Sequence, residues 1–438
     1  MAAGHTDAPQ RNRALDGLRA LAALSVVGYH VAAFTGHSPH SLAFAQLKAG
    51  VAVFFVISGF VLYTPWARAL AAGGPLPSWR AYAARRVARI VPGFWVALTV
   101  WVAVCAAAGA SGLIGRVQDL WRYYGFVQTY GVRTLGAGYR VSWSMCVELA
   151  FYLVLPLLAV AVARLAALAQ TRARAGASPA TVQLVVFALL AVASFDLRLA
   201  FSPSLLSAVP VSREVIATSL PALFDWFAIG LGLAVCAAQW EHGAARDGAL
   251  HWLARRPGLS LSLGGLLFAL ATPIQGGDLF LTTDSPAAHL LIGIAAGLLV
   301  LATIAPPDLK GTLGRAAPVT RTQRHRLPSL TLALLASRPM AWLGTISYGI
   351  YLYHVLALVL LRRLETGARV GPQLSHMSTG PSLLLLASTV AAAVGLGAGS
   401  WYLIERPANR RALRWLAASR QRGILRGDQG TLATSTNS

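Results

Sequence analysis

Arg19 and His30 are the residues whose types and spacing most readily support chemistry. Both lie in one apolar stretch, LDGLRALAALSVVGYHVAAFT, from Leu15 to Thr35. At about 100° per residue their separation is three helical turns plus roughly 20°, so the two side chains share one stripe about 16 Å apart along the axis. Asp16 falls within about 40° of the same stripe. Ionisable groups inside a membrane helix are costly, and they usually face a bundle interior or a polar cavity. A cation at one end of the stripe and an imidazole toward the other would line a tunnel. The same residues would equally serve as a buried Arg–Asp pair tying helices together, with His30 a satisfied core group.

Four further groups join this stripe. Glu148 lies about two turns into the apolar stretch YRVSWSMCVELAFYLVLPLL, at a depth expected to match that of His30. A carboxylate beside a histidine fixes its tautomer and stabilises the imidazolium formed when it takes a proton. On this reading His30 is a general base and Glu148 its orienter; a structural Glu–His or Glu–Arg pair is the other reading. The stretch WLGTISYGIYLYHVLALVLL carries Tyr348, Tyr351, Tyr353 and a second imidazole, His354, in the same outer half. Ser58 and Gly59 form a small patch within AGVAVFFVISGFVL, suited to close helix packing or to backbone approaching a ligand. RAYAARRVARIVPGFW sets Arg85, Arg86 and Arg89 at helical spacing just before an apolar run. Three guanidiniums at a tunnel mouth suit bidentate phosphate binding, and a plain cytoplasmic anchor has the same composition.

The elements that must position these groups are membrane helices. The chain has 438 residues, 56% hydrophobic and 12% charged, with a mean hydropathy of +0.59. A soluble domain carries about 25% charged residues, so the composition reads as a polytopic all-α bundle. Apolar windows predict ten spans, at 15–35, 48–66, 91–110, 142–163, 181–200, 220–238, 258–273, 287–305, 339–361 and 381–404. The seventh is the shortest. With the N-terminus cytoplasmic, inner segments hold more than twice as many of the 37 Lys and Arg as outer ones. That bias places both termini inside, as the even span count requires. The expected organisation is a polar segment at 1–13, a transmembrane domain at 14–407 and a basic, largely disordered cytoplasmic tail at 408–438. Residues 306–338 are a second segment expected to be mobile.

Other classes are disfavoured. The net charge of +22 sits between apolar spans without a nucleic-acid-binding signature, so topology and anionic headgroups account for it. Cys105, Cys146 and Cys236 are too far apart and too apolar in context for a disulfide framework or metal cluster. The ten histidines show no H-E-x-x-H spacing, so no metal is expected. Walker A, G-x-S-x-G and dinucleotide fingerprints are absent. No short apolar core with an A-x-A site precedes the first span, which is read as uncleaved.

Six ordered motifs carry a resemblance. RALAALSVVGYH matches the R-x10-H motif of the acyltransferase 3 family of integral-membrane O-acyltransferases. VFFVISGFVL, RRVARIVPGFW, SWSMCVELAFYLVLP, LGTISYGIYLYH and YLIERP resemble its later landmarks in the same order. The match spans roughly residues 14–407. The chain looks like the stand-alone form and is similar to the actinomycete macrolide acyltransferases. The resemblance implies transfer of an acyl group, commonly acetyl, from acyl-CoA as co-substrate to an acceptor hydroxyl, with no permanently bound cofactor. His30 and Arg19 correspond to the motif's essential pair. Arg85, Arg86 and Arg89 correspond to its donor site, and Tyr348, His354 and Ser58 are expected beside the substrates. Cys146-Val147-Glu148-Leu149-Ala150 departs from the more polar stretch that follows the glutamate in many members. The expected partners are acyl-CoA, a macrolide, other glycoside or cell-surface polysaccharide, and membrane lipids. The expected location is the bacterial cytoplasmic membrane, with several passes. Intramembrane His, Glu and Arg also mark proton-coupled transporters and flippases, the competing class.

Overall fold

A chain crossing hydrocarbon must satisfy its backbone hydrogen bonds within each segment, and helices do so. The computed structural model describes residues 12–35, 46–108, 116–135, 137–172, 178–201, 210–272, 285–304, 330–366 and 379–421, and these are helical with no strand among them. The principal helices are α1 (Arg13–Phe34), α2 (Gly50–Ala71), α3 (Trp79–Ala107), α4 (Trp143–Arg172), α5 (Pro179–Ala200) and α6 (Leu220–Glu241). They continue with α7 (Pro257–Ala271), α8 (Pro286–Thr303), α9 (Arg338–Thr366), α10 (Thr379–Ser400) and α11 (Arg406–Gln421). A π-helical turn, Trp401–Glu405, joins the last two. Side-chain caps start several of them: Asn12 accepts from the Leu15 amide, Ser78 from Ala81 and Ser178 from Thr181.

Among the described residues, nine helical stretches are long and apolar enough to cross a membrane. At 15 residues, α7 is shorter; it would extend about 22 Å against a hydrocarbon core of about 30 Å. Its neighbours nonetheless require the chain to return here. Asp225 of α6 meets His289 of α8, so these two helices start at the same end of the bundle. Ile229 then meets Gly293 and Gly297, which makes them parallel. The intervening segment, which holds α7, must therefore carry the chain back.

Helices α1 and α9 are also parallel, with Asp16 against Gly344 near one end and His30 against His354 further along. A Cβ at Gly344 would collide with the backbone of Asp16, so glycine permits this approach. Gly59 of α2 and Gly230 of α6 play the same part for each other. At their far ends these two helices are clasped by Arg68, whose Nε and Nη2 each donate to Glu241 at 2.7 Å.

Two boundaries differ from the sequence expectation. Helix α3 begins at Trp79, twelve residues before the predicted 91. Its first turns are arginine-rich, so a hydropathy window overlooks them although Ser78 caps a continuous helix. Residues 408–421, expected in a disordered tail, form most of α11 instead, with Leu416 and Ser419 buried. Residues 422–438, and most of the segment expected to be mobile at 306–338, lie outside the described residues. From 330 onward that segment is already helical, as Leu330–Leu335.

Candidate active site

Six of the nine singled-out residues line one cavity. It occupies about 760 Å³, counting the part open to solvent, and Arg19, Ser58, Arg86, Arg89, Glu148 and Tyr348 all face it. Aliphatic and aromatic side chains such as Val51, Phe54 and Leu62 complete its wall. The cationic group comes from α1 and the first turns of α3. Early capping of α3 by Ser78 is what brings Arg86 and Arg89 onto the helix face that meets this space. Arg85 is not among the lining residues. Arg19 is held by Asp16, Nη1 to Oδ1 3.0 Å, which is the pairing their i, i+3 spacing permits.

Glu148 sits in the cavity wall, and its carboxylate accepts from Ser58 Oγ at 2.7 Å and Tyr152 Oη at 2.5 Å. These contacts replace the expected pairing with His30. Ser144, Glu148 and Tyr152 recur every four residues, so they form a polar stripe along α4, and all three face the cavity. Ser144 Oγ lies 2.7 Å from Tyr351 Oη. Since Tyr351 donates to the Val141 carbonyl at 2.9 Å, Ser144 is the donor to Tyr351. Sequence reasoning named Tyr351 but missed Ser144 and Tyr152, although their spacing from Glu148 was there to read.

The connection between α3 and α4 fastens the start of this stripe. Gln128 Nε2 donates to Ser142 Oγ at 2.7 Å, and Thr129 Oγ1 donates to the Trp143 carbonyl at 3.2 Å. Tyr123 Oη donates to the carbonyls of Thr134 and Ala137. Burial of that hydroxyl pushes its pKa up to about 12. Tyr139 Oη donates to the Leu352 carbonyl and so ties the connection to α9.

His30 and His354 lie beyond the wall formed by Phe54 and Tyr351. The Tyr351 and His354 ring centroids are 5.7 Å apart, and those of His354 and His30 4.9 Å. His354 is wholly buried, whereas His30 is half-buried. His354 Nδ1 lies 2.6 Å from the Tyr351 carbonyl, which fixes the proton on Nδ1 and leaves Nε2 with a lone pair. His30 Nδ1 lies 2.9 Å from the Val26 carbonyl and 3.3 Å from His354 Nε2. Two acceptors therefore face one nitrogen, so that nitrogen carries the hydrogen and His30 Nε2 carries the lone pair. A backbone carbonyl and a second imidazole thus do the orienting that the sequence assigned to Glu148.

Tyr348 faces the cavity through its ring while its hydroxyl donates to the Ile90 carbonyl at 2.8 Å. Ser58 and Gly59 divide the two readings between them: Ser58 meets Glu148, and Gly59 packs on α6. Glu405 is 1% exposed, and its carboxylate accepts from Ser400 Oγ at 2.9 Å. A separate buried group joins α5, α6 and α8. Its core is His289 Nε2 at 2.7 Å from Asp225 Oδ2, with Trp226 stacked on the imidazole at 4.3 Å. Arg198 nearby donates to the Ala217 carbonyl at 3.2 Å. The sequence reading did not single out this group, although an Asp and a His inside apolar spans were the signal for it.

Comparisons place this architecture. The chain is similar to Protein 2 in picA locus from Rhizobium radiobacter, with 33% identity over 114 residues. That alignment covers 26% of this chain and 56% of that protein, so the chain spans little more than half of the relative. No solved structure matches. A family model described as an acyltransferase domain matches residues 12–403. That range includes both histidines, the cavity arginines and Glu148. The chain is a multi-pass membrane protein of the acyltransferase 3 family.

Proposed function

We propose that this protein transfers an acyl group, acetyl in the simplest case, from acyl-CoA to a hydroxyl of a sugar-containing acceptor, with His30 as general base. The observation that carries this reading is the placement of groups along α1 and the cavity beside it. Arg19, Arg86 and Arg89 line the cavity, and His30, whose Nε2 carries the lone pair, stands about three turns further along the helix that holds Arg19. Coenzyme A is an anionic nucleotide on a long thin arm. Its phosphates meet Arg86 and Arg89, and the arm runs along the face of α1 from Arg19, past Phe54 and Tyr351, to bring the thioester to His30.

His30 Nε2 then takes the proton of the acceptor hydroxyl as that oxygen attacks the thioester carbonyl. The new C–O bond forms, the C–S bond breaks, and the thiolate leaves and is protonated by the imidazolium. The Val26 carbonyl and His354 stabilise that imidazolium through Nδ1–H. Attack by His30 itself, giving an acyl-histidine, is the two-step variant of the same chemistry. Macrolide, other glycoside and cell-surface polysaccharide are the acceptor classes the family resemblance favours.

The test is free-thiol release from acetyl-CoA by purified, detergent-solubilised protein, with and without candidate glycosides, alongside His30→Ala. Acceptor-dependent release that His30→Ala lowers about 10²- to 10⁴-fold is the expected result. Release that survives the substitution intact would sink the assignment of the base. Acceptor movement without consumption of acyl-CoA would favour transport instead.

A further inference from the structure

Helix α11 carries a cluster of arginines outside the cavity, and nothing in the proposed reaction uses it. Its sequence, RPANRRALRWLAASRQ, has no acidic residue. Leu416 and Ser419 are 5% and 1% exposed, so they mark the face turned to the bundle, where α11 packs on α3. Arg406, Arg410 and Arg414 follow one another every four residues and are exposed, as is Arg411. At 100° per residue these four cover an arc of about 140°, centred roughly 180° from Leu416 and Ser419. The arginines therefore point directly away from the protein. Leu413 and Trp415, 54% and 53% exposed, flank the arc on either side.

Position along the helix decides what this face meets. The helical stretch Ser382–Ser419 is 38 residues long. The part from Ser382 to Glu405 extends about 36 Å, enough for the hydrocarbon core of about 30 Å. Tyr402 and Leu403, 46% and 78% exposed, are the last outward-facing apolar side chains of that part. Arg406 lies over the Tyr402 ring at 5.8 Å, at the boundary. Arg410 stands about 6 Å further out and Arg414 about 12 Å, within or just above the headgroup layer. Arginine side chains at that height reach back to phosphate, and a flanking Trp settles at the same level.

We infer that the outward arginine face of α11 binds anionic phospholipid headgroups of the adjacent leaflet. The ligand chemistry is a phosphodiester bearing net negative charge, met by Arg406, Arg410, Arg411 and Arg414. This surface is independent of the acyltransferase reading.

The full chain, purified in detergent micelles carrying equal amounts of phosphatidylglycerol and phosphatidylcholine, tests it by mass spectrometry of the lipid retained. Wild type should enrich phosphatidylglycerol roughly tenfold. The quadruple variant Arg406→Gln, Arg410→Gln, Arg411→Gln, Arg414→Gln should fall below about twofold, and the corresponding Lys variant should keep most of the enrichment. Should the quadruple variant aggregate on size exclusion, the pair Arg410→Gln, Arg414→Gln gives the same comparison with a smaller loss. Arg255→Gln, Arg256→Gln, placed between α6 and α7, should change nothing. Undiminished enrichment in the folded Gln variants overturns the inference. Displacement of phosphatidylglycerol from wild type by free coenzyme A overturns it too, because the face would then be a nucleotide site.

Discussion

His354 presents its Nε2 to His30 Nδ1 at 3.3 Å, across an interface between helices 324 residues apart in the chain. Under the proposed mechanism this contact makes His354 a positioning residue, which would act on the acceptor through His30. His354→Ala leaves the Val26 carbonyl in place, so it should lower kcat about tenfold while KM for acyl-CoA stays within about twofold. Steady-state thiol release separates the two parameters. A change in KM alone would place His354 in donor binding.

Glu148 accepts from Ser58 and Tyr152 rather than serving His30. Glu148→Gln retains an acceptor and should raise KM for acyl-CoA, roughly tenfold, without moving the pH–rate profile set by His30. A displaced profile would restore the direct pairing. Glu148→Ala should also lower thermal stability by about 1–3 kcal/mol, because two hydroxyls then lose their acceptor.

Three of the four arginines of α3, Arg85, Arg86 and Arg89, are predicted to separate. Arg86→Gln and Arg89→Gln should each raise KM for acyl-CoA about 10- to 100-fold, the range of a hydrogen-bonded charge pair. Arg85→Gln should change it less than about threefold, as Arg85 does not face the cavity. Kinetics of the three single variants at constant ionic strength read this directly. Equal effects at all three would point to a diffuse field instead of two fitted guanidiniums.

Gly344 allows Asp16 to approach, and Asp16 in turn holds Arg19. Ala favours a helix over Gly by about 1 kcal/mol, but here its Cβ meets backbone, and overpacking costs typically 1–3 kcal/mol. Gly344→Ala should therefore lower the midpoint of thermal unfolding in detergent. It should also reduce activity by displacing the Asp16–Arg19 pair. A stabilised variant would mean that the two helices separate readily.

Much of this molecule was readable as sequence, and the reason is the bilayer. A membrane segment must be apolar and helical, so apolar windows located the nine helical stretches that are long enough to cross among the described residues, and the window at 258–273 appears as the shorter α7. Arg19 and Glu148 stood out because charge inside an apolar span is expensive, and the arginines of α3 by their helical spacing just before one. What sequence could not give was which groups meet. His30 and Glu148 were matched by depth, but depth leaves the rotation of each helix open, and packing turned Glu148 toward Ser58 and His30 toward His354. Helix α11 was mistaken for a tail because its exposed arginines outweigh, in any hydropathy window, the few residues that dock it.

The parallel arrangement of α1 and α9 has a consequence for biosynthesis. The proposed base lies near the start of the chain, but its partner imidazole is residue 354 of 438. During synthesis the first span enters the bilayer with His30 unmated, and most of the remaining helices must follow before His354 arrives. A nascent or truncated chain thus holds the base without its partner. Full activity then waits for a residue made long after the base, and the synthesis of α2 to α8 sets the delay.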